Sequence, residues 1–224
     1  MRVRPAPLIA AALLVIGLIS FSVDVPLAIW LGSNRLPGEL MRPFKFAEIG
    51  GHGTGAAMVL LATFWLTRQR WHLPGQWPVL LRLVAATYLG GLLVDGLKLA
   101  IPRVRPRYAE LAGDVGAFDT FGRQLLALAD HSRAALMSFP SGHSAIAAGL
   151  AAVLCWLHPA GRPVFITLAV LACLQRLLSG SHYLSDVCIG ASLGLLAAWL
   201  TLHRGWPGGR LQDGRESRPG HAGS

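Results

Sequence analysis

The sequence predicts an all-α integral membrane protein, a bundle of six transmembrane helices. Three observations carry that prediction. Hydrophobic residues make up 53% of the 224-residue chain and charged residues only 14%. A soluble domain carries about 25% charged residues, so much of this surface is built to face lipid. The apolar residues fall into six runs, most of them close to the roughly 20 residues a helix needs to cross the hydrocarbon core. The length suits one such bundle and leaves no room for a sizeable soluble domain beside it.

The first run covers roughly Pro7 to Val23, behind Arg2 and Arg4. With Ser20-Phe21-Ser22 near its end it has features of a secretory signal. Five further runs follow, so an uncleaved anchor is expected. The second runs from about Gly53 to Thr67 and is short; its start can reach back to Ile49. The third runs from about Val79 to Ile101, interrupted by Arg82, Asp95 and Lys98. The fourth spans about Ser141 to Leu157, the fifth Pro163 to Ser179, and the sixth Tyr183 to Leu202. The longest connection, Arg103 to Phe139, mixes charges, glycines and apolar residues. Loops of that length are usually functional, and Phe121 to Leu128 is expected to form a short helix on the membrane surface. Residues 1–203 are read as one six-span domain, and 204–224, rich in Gly, Pro and Arg, as a disordered cytoplasmic tail.

The formal net charge is +9. The basic residues sit between apolar runs and form no continuous basic face, so nucleic acid is not the expected partner. Cytoplasmic loops and an anionic substrate account for them better. With a cytoplasmic N-terminus, the inner side holds Arg2, Arg4, Arg68, Arg70, Arg82, Arg162 and the tail arginines. The outer loops hold Glu39, Glu48, Glu110, Asp114, Asp119 and Asp130 together with fewer basic residues. The expectation is a cytoplasmic (inner) membrane protein with its site facing the periplasm or outside. Cys155, Cys173 and Cys188 lie inside apolar runs and are read as small buried hydrophobes. Trp30, Trp65, Trp71, Trp77, Trp156 and Trp199 near run ends suit an aromatic belt. Gly51/Gly55 and Gly190/Gly194 have GxxxG spacing, readable as ordinary close packing or as a dimer face. The sequence leaves the oligomeric state open.

Ionisable residues near a membrane span are costly and mark functional sites. Lys98, Arg105 and Pro106 close the third run, Pro140-Ser141-Gly142-His143 opens the fourth, and Arg176, His182 and Asp186 bridge the fifth and sixth. A six-span topology puts all three groups on one face. Lys98, Arg105 and Arg176 suit a phosphate dianion, arginine through its planar fork and lysine as a point charge. Ser141 and Gly142 sit at a helix start, where free N–H groups bind anions. Asp186, four residues after His182, can orient the imidazole so that its other nitrogen attacks phosphorus. His143 is then available to protonate the leaving alkoxide. No Asp/Glu/His set has metal-ligand spacing, so no metal and no cofactor are expected. Asp95 can simply neutralise Lys98. His52, His131, His158 and His203 read as ordinary helix-end residues, and Arg103, Arg107 and Arg133 as interfacial or substrate-steering groups.

KLAIPRVRP (Lys98–Pro106), PSGH (Pro140–His143) and RLLSGSHYLSD (Arg176–Asp186) resemble the three motifs of the type 2 phosphatidic acid phosphatases. These belong to the PAP2 superfamily of lipid phosphatases and vanadium-dependent haloperoxidases. The resemblance implies that His182 becomes a phosphohistidine, that Asp186 orients it, and that His143 is the general acid. It also implies that Lys98, Arg105, Ser141, Gly142 and Arg176 hold the phosphate. One position departs from the pattern: Gln175 stands where the family usually has Ser before the arginine, and tuning of the site is expected there. The implied function is hydrolysis of a lipid phosphate monoester or diphosphate in a bacterial envelope. Phosphatidic acid, phosphatidylglycerol phosphate, undecaprenyl diphosphate and lipid A 1-phosphate are all allowed substrates. The rivals are a phosphotransferase using the same phosphohistidine, a haloperoxidase, and a non-catalytic anion-binding or transport protein.

Overall fold

The computed structural model describes residues 5–67, 76–111, 115–122 and 133–202. Eight α-helices make up its frame: α1 (Ala6–Ser20), α2 (Asp24–Ser33), α3 (Gly38–Glu48), α4 (Gly53–Thr67), α5 (Gln76–Ala100), α6 (Gly142–Leu157), α7 (Arg162–Leu178) and α8 (Leu184–Leu202). Each of the six apolar runs becomes a helix, α1 and α4 to α8. Helices α2 and α3 were not expected, because residues 24–48 mix charge, proline and apolar side chains without a long apolar run.

By length and composition, three helical stretches can cross a membrane alone: Trp77–Ala100, Pro159–Leu178 and Leu184–Leu202. Two more spans result if the bent pairs α1/α2 (81°) and α3/α4 (73°) each count as one. Helix α6 is apolar but has only 16 residues. At 1.5 Å per residue that is about 24 Å, short of the ~30 Å hydrocarbon core. The protein is therefore a multi-pass membrane protein whose helices match the six-run reading, and among the described residues three to five stretches are long and apolar enough to cross.

Helix α8 is the axis of the bundle and packs on α1, α5 and α6. Small residues allow this. A side chain at Gly190 would meet the Ser141 backbone, and one at Gly194 would meet Ala145 of α6; Gly90 of α5 faces Gly194 directly. On α1, Gly17 lies against Ile189 and Cys188. The GxxxG pair of α8 thus packs inside the chain, which removes the sequence basis for reading it as a dimer face. Gly51 likewise lies against the backbone of His143. Leu60, Val79, Leu83, Ala86, Val153, Leu154, Ala198 and Leu202 form the main apolar core between α4, α5, α6 and α8. Outward-facing residues of α1 and α7, such as Leu8, Ile19, Val164 and Ile166, are exposed and apolar, as a lipid-facing surface requires.

Helices α5 to α8 run up and down in turn. The C-terminal ends of α5 and α7 and the N-terminal ends of α6 and α8 therefore share one end of the bundle, and that end receives all three motifs. At the other end, the buried Arg82 on α5 donates through Nε to the Thr201 carbonyl near the end of α8, 2.6 Å away. A cation suits the negative end of a helix dipole. The cysteines are free, Cys188 buried and Cys155 and Cys173 half-buried. Trp30, Trp65 and Trp77 are exposed near helix ends, in keeping with an aromatic belt.

The long connection between α5 and α6 folds over the motif end. Arg103 lies between two short extended segments, bridging to Phe121 on one side and Met137 on the other. Its amide donates to Leu136, its carbonyl accepts from Ser138, and the Arg105 amide donates to Ala135. Phe118–Thr120 is a single 3-10 turn and Phe121 is extended. The expected surface helix does not start at Phe121, and its remainder from 123 lies outside the described residues, as do the tail 204–224, His131, His203 and Trp71.

Candidate active site

The spacing of the third motif follows from how α7 ends. Gly180 has φ of +63°, the left-handed region that glycine occupies without cost. The Ser181 amide donates to the Arg176 carbonyl at 3.1 Å and the Gly180 amide to Leu177 at 2.9 Å. This is the paired-bond closure of a Schellman turn. It fixes His182 one residue past the turn, beside the arginine of the last helical turn. The backbone then enters α8, and Asp186 falls in its first turn, on the His182 side.

The His182 side chain is buried. Its Nδ1 lies 2.7 Å from the Ser138 carbonyl oxygen and 3.7 Å from Oδ2 of Asp186. A carbonyl only accepts, so Nδ1 carries the proton and donates it to Ser138, and Nε2 keeps its lone pair. From their spacing alone, Asp186 is the expected tautomer-fixing partner of His182. In the structure the direct partner is the Ser138 backbone, and Asp186 acts on the ring as a nearby charge. His182 sits in the turn between α7 and α8, where burial pushes its imidazole down to about 4, against the opposing pull of Asp186.

Asp186 is fully buried and densely held. It accepts from Ser138 Oγ at 2.5 Å, from the Tyr183 amide at 2.9 Å and from Arg103 Nη1 at 2.5 Å. Arg103, read from sequence as interfacial or steering, is wholly buried instead. Its Nη2 donates to Asp24 at 2.8 Å and its Nε to Thr120 at 2.9 Å. Its guanidinium stacks 4.0 Å from the Tyr183 ring and 4.6 Å from Phe121. Arg107 remains near the surface, its amide bonded to Gly180 and its guanidinium 4.8 Å from the Tyr108 ring. The side chain of Arg133 is outside the described set.

Ser141 caps α6. Its hydroxyl accepts from the Ser144 amide at 3.4 Å and the Ser144 hydroxyl at 2.9 Å. The Ser141 amide, expected to bind phosphate, is committed to the Asp186 carbonyl at 3.0 Å. That bond ties the second motif to the third and leaves Gly142 and His143 as the open first turn of the helix. Lys98 approaches here, its Nζ 3.3 Å from where a Gly142 side chain would begin. Any side chain at 142 would push on that ammonium. Asp95, 3.6 Å from Lys98, is largely exposed, so their pair stands at the rim.

Arg105 and Arg176 complete the cluster. Arg176 pairs with Glu48 at the end of α3 and donates to Gln175 Oε1 at 3.1 Å. Gln175, at the position that departs from the family pattern, thus supports the arginine directly. Glu48 was missed from sequence; its partner is 128 positions away. Among the described residues, Arg105 Nε, Arg176 Nε, His143 Nε2 and Tyr183 Oη are buried without a hydrogen-bond partner. Buried polar atoms are rarely left so. The two guanidinium Nε atoms and His143 Nε2 stand at one bundle end beside Lys98, an arrangement whose chemistry suits an acceptor-rich anion.

Folding also assembles a set that linear spacing did not reveal. Ligand atoms of Glu48, His52 and His143 lie within 4.8 Å of one another, with the His52 and His143 rings edge to face at 4.6 Å. Glu48 is already committed to Arg176, and Lys98, Arg105 and Arg176 make the surroundings favour an anion over a cation.

The profile of the PAP2 superfamily matches residues 79–209, more than half of the chain. The chain belongs to the PAP2 superfamily. Two curated proteins named lipid A 1-phosphatase are similar to it. The one from Rhizobium johnstonii is 38% identical over 112 residues, which is 50% of this chain and 41% of that protein. The one from Rhizobium etli is 35% identical over 120 residues, 54% of this chain and 46% of that protein. The alignments thus span less than half of each relative. Two solved structures share the fold. The crystal structure of Aquifex aeolicus LpxE has a TM-score of 0.56 at 24% identity, covering 80% of this chain and 94% of that one. A transmembrane PAP2-type phosphatidylglycerolphosphate phosphatase from Bacillus subtilis has a TM-score of 0.55 at 22% identity, covering 86% and 93%. The PAP2 match begins at residue 79, so Asp24 and Glu48 contact the site from helices outside it.

Proposed function

We propose that this PAP2 protein is a membrane lipid phosphatase that hydrolyses a phosphate monoester or diphosphate of an envelope lipid through a phosphohistidine at His182. The observation that carries the reading is the Nδ1 contact to the Ser138 carbonyl, which leaves Nε2 as a nucleophile beside three buried, unpartnered N–H or imidazole groups. Nε2 attacks phosphorus while the bond to the leaving oxygen breaks, and His143 gives that oxygen its proton. Lys98, Arg105, Arg176 and the Gly142 amide bind the equatorial oxygens, where charge spreads in the transition state. Ser141 supports this as the α6 cap. Water, deprotonated by His143, then attacks the phosphohistidine, and phosphate and free His182 result.

A lipid fits the surroundings. A cleft of about 480 Å³ reaches His182 along Leu27, Leu31, Leu36 and Met41, with Arg35 and Arg107 also on its lining. This mixed lining, aliphatic side chains beside Asp24, Arg35 and Arg107, suits the junction between an acyl chain and a polar headgroup. The curated relatives bear the name lipid A 1-phosphatase, which makes the 1-phosphate of lipid A the first substrate to try. The test is phosphate release by the purified protein from lipid A, phosphatidylglycerol phosphate, phosphatidic acid and undecaprenyl diphosphate. Turnover of lipid A fastest of the four is the expected result. Lipid binding without phosphate release from any of them would overturn the hydrolase reading, and label appearing on an acceptor lipid instead would assign a transferase.

The proposed location is the inner membrane with the motif end toward the periplasm, supported by the distribution of basic and acidic loop residues. A cysteine placed at Asp119 should be labelled by an impermeant reagent outside intact cells, and one at Arg215 should not. The reverse pattern would turn the site to the cytoplasm.

A further inference from the structure

Asp24 stands at the first turn of α2, just past the 81° bend from α1. Its side chain is fully buried, as are those of Arg103 and Asp186. One Asp24 oxygen accepts from the Ser185 amide at 3.0 Å, the other from Ser185 Oγ and, at 2.8 Å, from Arg103. The guanidinium thus lies between two carboxylates, and the three residues together carry one negative charge in excess. Burying a charge without a counterpart is strongly unfavourable. The excess charge lies next to His182, the ring that turns positive when Nε2 bonds to phosphorus while Nδ1 keeps its proton.

We propose that Asp24 is a positioning residue of the reaction, which by engaging Arg103 leaves Asp186 as the uncancelled counter-charge for His182. The inference rests on the proposed role of His182. Without Asp24, the Arg103 charge would fall wholly on Asp186, the cluster would be neutral, and the positive ring would have no net protein counter-charge beside it. Charged groups facing His182 from the other elements are Arg176 on α7, Arg105 on the loop after α5, and beyond them His143 on α6 and Lys98 on α5. None of these groups carries a negative charge, so the Asp24–Arg103–Asp186 cluster supplies the balancing charge.

The experiment compares the full-length protein in detergent with Asp24→Asn, Asp24→Glu, Asp24→Asn/Arg103→Gln and His182→Gln, following kcat, KM and thermal melting. Asp24→Asn should lower kcat on the order of tenfold with KM little changed, as expected when an interaction made only in the transition state is lost. Asp24→Glu should recover part of that loss. The double variant removes one positive and one negative charge and restores the excess on Asp186, so it should turn over faster than Asp24→Asn alone. A folded Asp24→Asn with wild-type kcat would overturn the proposal. So would a double variant that is unfolded, or folded and no faster than the single one. If Asp24→Asn does not fold, the double variant decides by itself: activity well above His182→Gln supports charge balance, and activity equal to it refutes it. Full activity in His182→Gln would instead remove the function reading on which the proposal rests.

Discussion

Replacing His182 with glutamine should reduce turnover by about 10³-fold or more, because glutamine has no lone pair able to accept a phosphoryl group. The fold should survive. Gln can donate its amide to the Ser138 carbonyl that now accepts from Nδ1, and it fills similar space. Substrate binding should also survive, since Lys98, Arg105 and Arg176 stay in place. The expected signature is a loss in kcat with KM nearly unchanged and an unaltered melting temperature. Steady-state kinetics with a short-chain lipid phosphate would check it. The same residue predicts a pH profile. Burial holds the His182 imidazole down at about 4, so the nucleophile stays neutral as pH falls from 7 to 5. Once substrate ionisation is divided out, kcat/KM should show no acid limb near the ordinary histidine value of about 6.5 that vanishes in His182→Gln residual activity. A limb of that kind would place the working pKa of His182 well above the value its burial sets.

Changing Arg176 to lysine keeps the charge and should still lower kcat/KM by about 10²-fold, equivalent to ~2.7 kcal/mol of transition-state stabilisation. The guanidinium works in two directions at once. One terminal nitrogen is engaged by Glu48 and Gln175, while Nε remains buried and unpartnered beside the site. An ammonium is a single point and reaches either Glu48 or the phosphate. Removing Glu48 as well, in Arg176→Lys/Glu48→Gln, should return part of the loss by freeing the ammonium for the substrate. If Arg176→Lys alone matched wild type, Arg176 would be a structural partner of Glu48 and not a phosphate ligand.

The parts of this site that were legible in the sequence are those set by local geometry. Arg176, Gly180 and His182 stand at the spacing a Schellman closure imposes, and His182 and Asp186 at the spacing of one helical turn. The six apolar runs were legible because a long run of lipid-compatible side chains has few other uses. Helix α2 was hidden because Asp24 and Pro26 cut its short apolar stretch off from the first run, and α3 by Pro37, Pro43 and scattered charge. Arg103 was misplaced because its partners, Asp24 and Asp186, lie 79 and 83 positions away. Nothing local distinguishes a surface arginine in a loop from one that the fold will bury between two carboxylates. Glu48 was hidden for the same reason. The Ser141 amide looked free because a helix start usually leaves its first amides unpaired; close packing at Gly190 brings the Asp186 carbonyl to it.

The central claim is that phosphorus passes through a covalent bond to His182. Rapid quenching of the full-length enzyme with phosphate-labelled substrate, followed by peptide mass spectrometry, tests it most directly. The account predicts label on the peptide holding His182, stable in alkali and labile in acid, present in wild type and missing from His182→Gln. Label on a serine or on His143, or the same labelled peptide in His182→Gln, would contradict it.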